Sequence, residues 1–396
     1  MHPSEEIYCE KSGRLRGKTI VIGITGSIAA TECFSVIRDL VRNGAKVIPV
    51  MTPAAARLAS PDAIEFASGT RPIIELTGQT EHVKHLGGKN AADLFMIYPA
   101  TANTISKIAM GIDDTSVTSM STVAIGGGIP VAVVPAMHGA MMKNPAVSEN
   151  IEKLRRMGVH VIGPHSDGVR EKVASREEAV AWAVKLLSRN NLAGKRILVI
   201  GGRSEEPLDS MRLVTNRSTG LMTVMLAQRA FERGADVELW MGGSSVPLPD
   251  YIPTRRYASV SDLVEMLDSI DHDIVIVPAA LADFTPAERF EGKMPSGTPH
   301  TVLLNPVPKV LPMICKRCGS VIGFKAESGL AHSELVDKAR GRLLEYGLTA
   351  VVANDIDDAG RETSAAVLVT KDDAKNITGS KADVSDEILN FCAETI

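Results

Sequence analysis

The stretch Asp93–Asp114, DLFMIYPATANTISKIAMGIDD, constrains the fold of this chain more than any other. Leu94 to Tyr98 are continuously apolar, as a strand buried on both faces of a parallel sheet requires, and Pro99 is expected to stop that strand at its carboxyl end. A helix is expected to begin near Asn103. Between strand and helix lie Ala100, Thr101, Ala102, Asn103 and Thr104, small or hydrogen-bonding residues with nothing bulky to block a flat ligand. In open α/β sheets, ligands bind just past the carboxyl ends of strands. A helix cap needs one Thr or Asn, whereas this loop supplies three such residues among alanines, so it reads as a ligand loop rather than a cap alone.

The flanking sequence gives that strand a sheet to sit in. Thr19–Ile24 reads as a strand and Lys46–Met51 as the next, with a helix between them that carries Phe34, Ile37 and Val41 on one face and ends at Asn43-Gly44. Residues 1–14 read as a short extension that need not be ordered. The turn Thr25-Gly26-Ser27 opens the helix, where free N–H groups and the helix dipole favour a phosphate. It is not G-x-G-x-x-G, so a mononucleotide phosphate suits it better than a dinucleotide. Thr52, closing the second strand, is a second contact for the same ligand. A helix is expected over Ala55–Ala67, strands over Ile129–Val134 and Val159–Gly163, and a closing helix over Ser175–Ser188. After the Ile129–Val134 strand, PAMHGAMM sets His138 among methionines that read as a pocket wall.

A length of 396 residues is comfortable for two such units, and the polar RNNLAG at 189–194 is the best boundary, giving residues 1–190 and 191–396. The second unit repeats the phrasing of the first: LAGKRILVIGGRS echoes LRGKTIVIGITGS, and HDIVIVPAALA echoes ADLFMIYPATA. Asn216, Ser218, Thr219 and Gly220 stand where a helix begins, a position suited to phosphate or carboxylate. Lys293 lies in a Gly/Pro-flanked loop from which it can reach an anion. The fold class is therefore α/β, two Rossmann-like units each with its own ligand edge.

Interspersed charges summing to −4 argue against nucleic acid or an anionic membrane as the main partner. No apolar run approaches the ~20 residues of a membrane helix, so a soluble, cytoplasmic protein is expected. Five scattered cysteines do not make a disulfide framework, and Cys315-x-x-Cys318, without a second pair, reads as structural rather than as a zinc site.

Against this background the motifs resemble a known family. TGSIAA (Thr25–Ala30), PATANT (Pro99–Thr104) and PAMHGAMM are similar to the flavin-dependent cysteine decarboxylases. EPLD, RLVTNRSTG, AALADF, EGK, GFKAE and AND resemble phosphopantothenate-cysteine ligases. Both halves in this order resemble the bifunctional phosphopantothenoylcysteine decarboxylase/phosphopantothenate-cysteine ligases of coenzyme A biosynthesis. The resemblance implies a flavodoxin-like FMN-binding decarboxylase domain, then a ligase domain with a mostly parallel sheet. It implies CTP and Mg2+, with 4'-phosphopantothenate activated to an acyl-cytidylate that cysteine's amine attacks. FMN then oxidises the thiol carbon so that CO2 can leave, and the hydride is returned.

By motif, Gly26, Ser27, Thr52 and Ala100–Thr104 would hold FMN. Asn216 would hold the acyl phosphate and Lys293 the triphosphate or leaving group. Pro278, Ala279, Ala280, Asp283, Pro308, Lys309 and Phe324 would form the nucleotide pocket, with Lys338, Arg340 and Arg342 as phosphate cations. A catalytic base is implied at His82, which matches the motif wording, or His85, which matches the usual spacing to Pro99. His138 stands where the family usually has a carboxylate-binding Asn. The family's flap cysteine is missing from GPHSDGVREKVA, and His165 or Asp167 is the candidate replacement acid. Leu221 and Thr223 depart from the family's usual Lys and Gly. A homo-oligomer is implied, with trimeric decarboxylase and dimeric ligase contacts, possibly a dodecamer. Two other readings stand beside this one: a non-catalytic regulatory flavoprotein of the same fold, and a nicotinamide-dependent oxidoreductase, which the missing G-x-G-x-x-G disfavours.

Overall fold

The computed structural model describes residues 2–166, 171–297, 299–355 and 363–395. They form two compact units, Met1–Arg189 and Asn190–Ile396. Among the described residues no helix is long and apolar enough to cross a membrane.

The first unit is built on five strands, β1 (Thr19–Ile24), β2 (Lys46–Met51), β3 (Leu94–Ala100), β4 (Val131–Pro135) and β5 (His160–Val161). All pairings are parallel, in the order β2-β1-β3-β4-β5. Helices cover both faces. Ile20, Ile22 and Ile24 of β1 pack toward the helices Cys33–Arg42 and Arg176–Leu187, and Val21 packs with the helices Ala102–Met110 and Ser116–Gly126. Burial on both sides is why these strands are continuously apolar. The order 2-1-3-4-5 reverses direction between β1 and β3, which opens a crevice at their carboxyl ends, the flavodoxin-like arrangement. A short hairpin, β6 (His165–Ser166) and β7 (Glu171–Lys172), follows β5.

Several expectations are corrected here. Proline does not stop β3, which runs through Pro99 to Ala100 with a register irregularity between Ile97 and Ala100. The helix after it begins at Ala102, next to Asn103 as expected. The helix expected over Ala55–Ala67 is two, Pro53–Ala56 and Pro61–Ser68, because Pro61 forces the residue before it out of helical geometry. The amino-terminal segment is packed: Leu15 is fully buried, Cys9 N–H donates to Val41 O and Lys11 pairs with the buried Asp39 at 2.7 Å. Leu192, in the sequence proposed as linker, is also fully buried and its N–H donates to Arg233 O, so it belongs to the second unit's core.

The second unit has an eight-stranded sheet in the order β12-β11-β8-β13-β16-β17-β18-β19. β8 (Arg196–Gly201), β11 (Asp236–Met241), β12 (Thr254–Arg256), β13 (Ile274–Val277), β16 (Val321–Glu327) and β17 (Ala350–Asp355) run parallel; β18 (Thr363–Val369) and β19 (Ala374–Ser380) are antiparallel. Two hairpins stand beyond the sheet's carboxyl edge, β9 (Glu205–Pro207) with β10 (Leu213–Thr215), and β14 (Phe284–Pro286) with β15 (Leu304–Pro306). They carry or border the motif residues.

Candidate active sites at two carboxyl edges

In the first unit Thr25, fully buried at the end of β1, ties the rim together. Its Oγ1 donates to Pro99 O at 2.7 Å and accepts from Thr101 N–H at 3.0 Å. Gly26 follows, and a Cβ there would stand 2.7 Å from Ala54 Cβ, so the turn must be glycine to lie against the segment after β2. Ser27 caps the short helix Ile28–Glu32, Thr52 caps Pro53–Ala56 and Thr101 caps Ala102–Met110, each through its side-chain oxygen. Ala100 O accepts from Ala136 N–H at 2.8 Å, bringing the end of β4 alongside. Gly26, Ser27, Thr52 and Ala100–Thr104 therefore converge on one rim, with Asn103 exposed on it. The N–H groups of these capped first turns, the hydroxyls and the bare glycine surface suit a flat ligand carrying a phosphate.

The candidate histidines part company. His138 follows β4 at the same edge, exposed, capping Gly139–Met142 with Nδ1 accepting from Ala140 N–H at 3.2 Å. His165 follows β5 at that edge, and its Nε2 lies 2.6 Å from Oε2 of Glu178, whose side chain is 2% exposed. Asp167 lies outside the described residues. His82 and His85 sit elsewhere. Their helix, Glu81–Leu86, packs on the far end of Ser116–Gly126, with Gly87 against Val123 and Leu86 O beside Gly127. That helix starts at the carboxyl edge, where Ser116 Oγ donates to Met51 O, so its far end lies toward the amino edge. Lys46, which opens β2, also lowers the basicity of His85, after burial and the neighbouring Lys84. Within one chain, then, His82 is not at the rim. Its Nδ1 is buried and has no hydrogen-bond partner among the described residues.

In the second unit a cavity of about 470 Å3 opens beside the carboxyl ends of β13 and β16. Ala279, Asp283, Pro308, Lys309, Phe324 and Arg342 all line it, as does Lys325, which the sequence reading did not single out. Asp283 pairs with Lys309 at 2.5 Å and Lys325 with Glu327 at 2.7 Å. The Arg342 guanidinium lies 4.8 Å from the Tyr346 ring centroid and donates to Tyr346 Oη at 2.6 Å. Lys338, one helical turn before Arg342, reaches Glu327 at 3.4 Å. Arg340 does not line the cavity: two residues from each of them, it falls on another helix face, and its Nε is buried without a partner among the described residues.

Asn216 Nδ2 donates to Ala280 O at 3.0 Å, which places it beside the cavity wall. Lys293 is exposed and does not line the cavity. Its loop is held by Asp209, a residue missed as a motif member without an assigned part. The buried Asp209 carboxylate accepts from the N–H groups of Met294, Met211 and Arg212 and pairs with the Arg212 guanidinium. The Met294 N–H foremost, with the other donors, holds this carboxyl well below the usual range against the opposing effect of burial. Among the described residues no three His, Cys, Asp or Glu side chains converge as a metal site.

The chain matches the Flavoprotein family model over residues 9–188 and the DNA/pantothenate metabolism flavoprotein C-terminal domain over residues 192–395. The coenzyme A biosynthesis bifunctional protein CoaBC of Thermococcus kodakarensis is 42% identical over 95% of this chain and 95% of its own length. The chain belongs to the CoaBC family. The CoaBC protein of Methanocaldococcus jannaschii is 34% identical over 98% of this chain and 96% of its own. Among solved structures, the C-terminal domain of a CoaBC protein covers 52% of this chain and 97% of its own at 27% identity and a TM-score of 0.43, a score that adds nothing to the sequence match. CoaBC membership accounts for two ligand edges in one chain, and the two family models fall one on each unit.

Proposed function

We propose that this enzyme makes 4'-phosphopantetheine in two stages, one per unit. Residues 191–396 join cysteine to 4'-phosphopantothenate at the expense of CTP. Residues 1–190 decarboxylate the product with FMN. The observation that carries this reading is the pairing, in one chain of the CoaBC family, of a flavodoxin-order rim with a cation-lined cavity.

In the ligase stage Phe324 and the 278–280 backbone border the base and ribose. Lys309, Lys325, Lys338 and Arg342 neutralise the triphosphate, with Mg2+ arriving bound to it. Lys309 and Lys325 are already held by carboxylates, so the nucleotide would draw on cations fixed in position before it binds, which favours charge developing at the leaving phosphate. Asn216 holds the acyl phosphate, and Lys293 reaches it from the loop pinned by Asp209.

In the decarboxylase stage Gly26 and Ser27 receive the FMN phosphate, with the Ala100–Thr104 loop and Thr52 against the rest of the cofactor. FMN supplies the electron sink that a plain acyl-cysteine carboxylate lacks. His138 binds the substrate carboxylate, His82 removes a proton and His165 returns one. Because His82 lies toward the opposite edge from its own rim, it serves the flavin of a neighbouring copy, which makes the homo-oligomer part of the reaction.

The test is incubation of the purified protein with 4'-phosphopantothenate, cysteine and CTP or ATP, following phosphopantetheine, CO2 and pyrophosphate. A yellow preparation that forms all three supports the reading. A colourless one without nucleotide-dependent pyrophosphate release refutes it.

A further inference from the structure

We infer that Glu178 is the positioning residue of the decarboxylase stage, acting through His165. The inference rests on the proposed flavin chemistry and adds to it a residue that no motif marks.

Glu178 stands on the helix Arg176–Leu187 with only 2% of its side chain exposed. A carboxylate out of water needs a partner that repays its desolvation. That partner includes His165, whose own side chain is 41% exposed, at 2.6 Å.

The pair lies where the chemistry is proposed. Ile162 N–H donates to Val133 O, after which the chain passes Gly163 and Pro164 to reach His165 beyond the carboxyl end of the sheet. Ala174, just before the helix, accepts from Tyr98 Oη at 3.3 Å, which ties this segment to the last residues of β3. Burial first, then Cys33, Glu32, Glu177 and last Glu178 raise the pKa of that phenol. Glu178 and His165 therefore border the same end of β3 that leads into Ala100–Thr104.

The geometry also assigns the nitrogens. An ionised carboxylate only accepts, so Nε2 carries its hydrogen toward Glu178 and Nδ1 is the nitrogen that gives up a proton. After CO2 has left, Nδ1–H of the imidazolium would protonate the carbon that bore the carboxylate, leaving neutral imidazole. Bound FMN would supply the hydride for the carbon bearing sulfur, so that the C=C bond becomes single and the product is the thiolate. Glu178 fixes the ring and balances the imidazolium while the proton is in place, the part a buried carboxylate takes behind a catalytic histidine.

The experiment uses the full-length, flavin-loaded enzyme and measures CO2 and reduced thiol product separately. The variants are Glu178→Gln, His165→Ala and the double change. Wild type gives equal yields of both. In a single anaerobic turnover Glu178→Gln is expected to release one CO2 per flavin at the normal rate while thiol formation falls about tenfold or more, so the enethiol accumulates with the flavin's two electrons not returned. His165→Ala should show the same split, and adding Glu178→Gln to it should change nothing further, since residues acting as one unit are not additive. Equal loss of CO2 and thiol in Glu178→Gln, with lowered flavin occupancy, makes Glu178 structural and overturns the inference. So does a normal product ratio in Glu178→Gln beside an impaired His165→Ala. Absence of CO2 from the wild type refutes the flavin reading itself and is distinct from both.

Discussion

Replacing Thr25 by valine tests whether the first unit's rim is held by a hydroxyl. Valine has nearly the same shape, so the change leaves no cavity and isolates the two hydrogen bonds, to Pro99 O at 2.7 Å and from Thr101 N–H at 3.0 Å. Each bond is worth about 1 kcal/mol net, and a buried group left without a partner adds about 1–3 kcal/mol. Pro99 is fully enclosed in β3 while Thr101 is half-exposed, so its N–H can return to water and the Pro99 carbonyl cannot. The expected total is about 3–5 kcal/mol for Thr25→Val. Thr25→Ser keeps both bonds and loses one methyl, about 1 kcal/mol. The assay is urea denaturation followed through Trp182 in a Trp240→Phe background, since the chain has one tryptophan in each unit. Flavin affinity of the same variants reports whether the Ala100–Thr104 loop has shifted. A loss under about 0.5 kcal/mol for valine, or an equal loss for serine and valine, would refute the reasoning.

Other consequences can be measured directly. A Cβ at Gly201 would stand 1.9 Å from Thr223 Oγ1 and 2.5 Å from Thr223 Cβ, so Gly201→Ala is expected to cost at least about 1–3 kcal/mol, with Thr223→Ala recovering part of it and Thr223→Gly more, read as double-mutant cycles in denaturant. His85 and His160 both titrate below the ordinary histidine range, mainly through burial and then nearby lysines. The unfolded chain therefore binds their protons first, and the first unit should lose stability as pH falls below about 6.5. His85→Asn should flatten that slope in Tm measured against pH. Arg342→Lys removes the planar group that stacks on Tyr346 and bonds its hydroxyl, and is expected to raise KM for the nucleotide about tenfold while leaving flavin binding untouched.

Much of this architecture was legible because buried parallel strands must be apolar along their whole length. That signal marked β1, β2, β3 and β8 without any partner in view. Proline misled at Pro99, because a missing N–H is tolerated where the ladder is already irregular, and went unused at Pro61, where it divides the helix expected over Ala55–Ala67. The rim was readable because its residues are close in sequence to strand ends. The positions that hold it were not. Thr25 looked like part of a phosphate turn, and its bonds reach residues 74 and 76 positions away. Glu178 is one of two adjacent glutamates that no motif marks, and only packing shows which is buried. Arg340 shared a basic helix with Lys338 and Arg342, and spacing along that helix separates it from the cavity.

The Asp209 peg gives the two units different responses to acid. A carboxyl whose folded pKa is depressed contributes stability above its unfolded value, near 3.8, and gives it up only as pH falls through the lower folded one. The loop bearing Lys293 should therefore stay docked through mildly acidic conditions in which protonation of His85 and His160 is already loosening the first unit. Gentle acidification is then a way to unseat a flavin while the nucleotide half keeps its working shape.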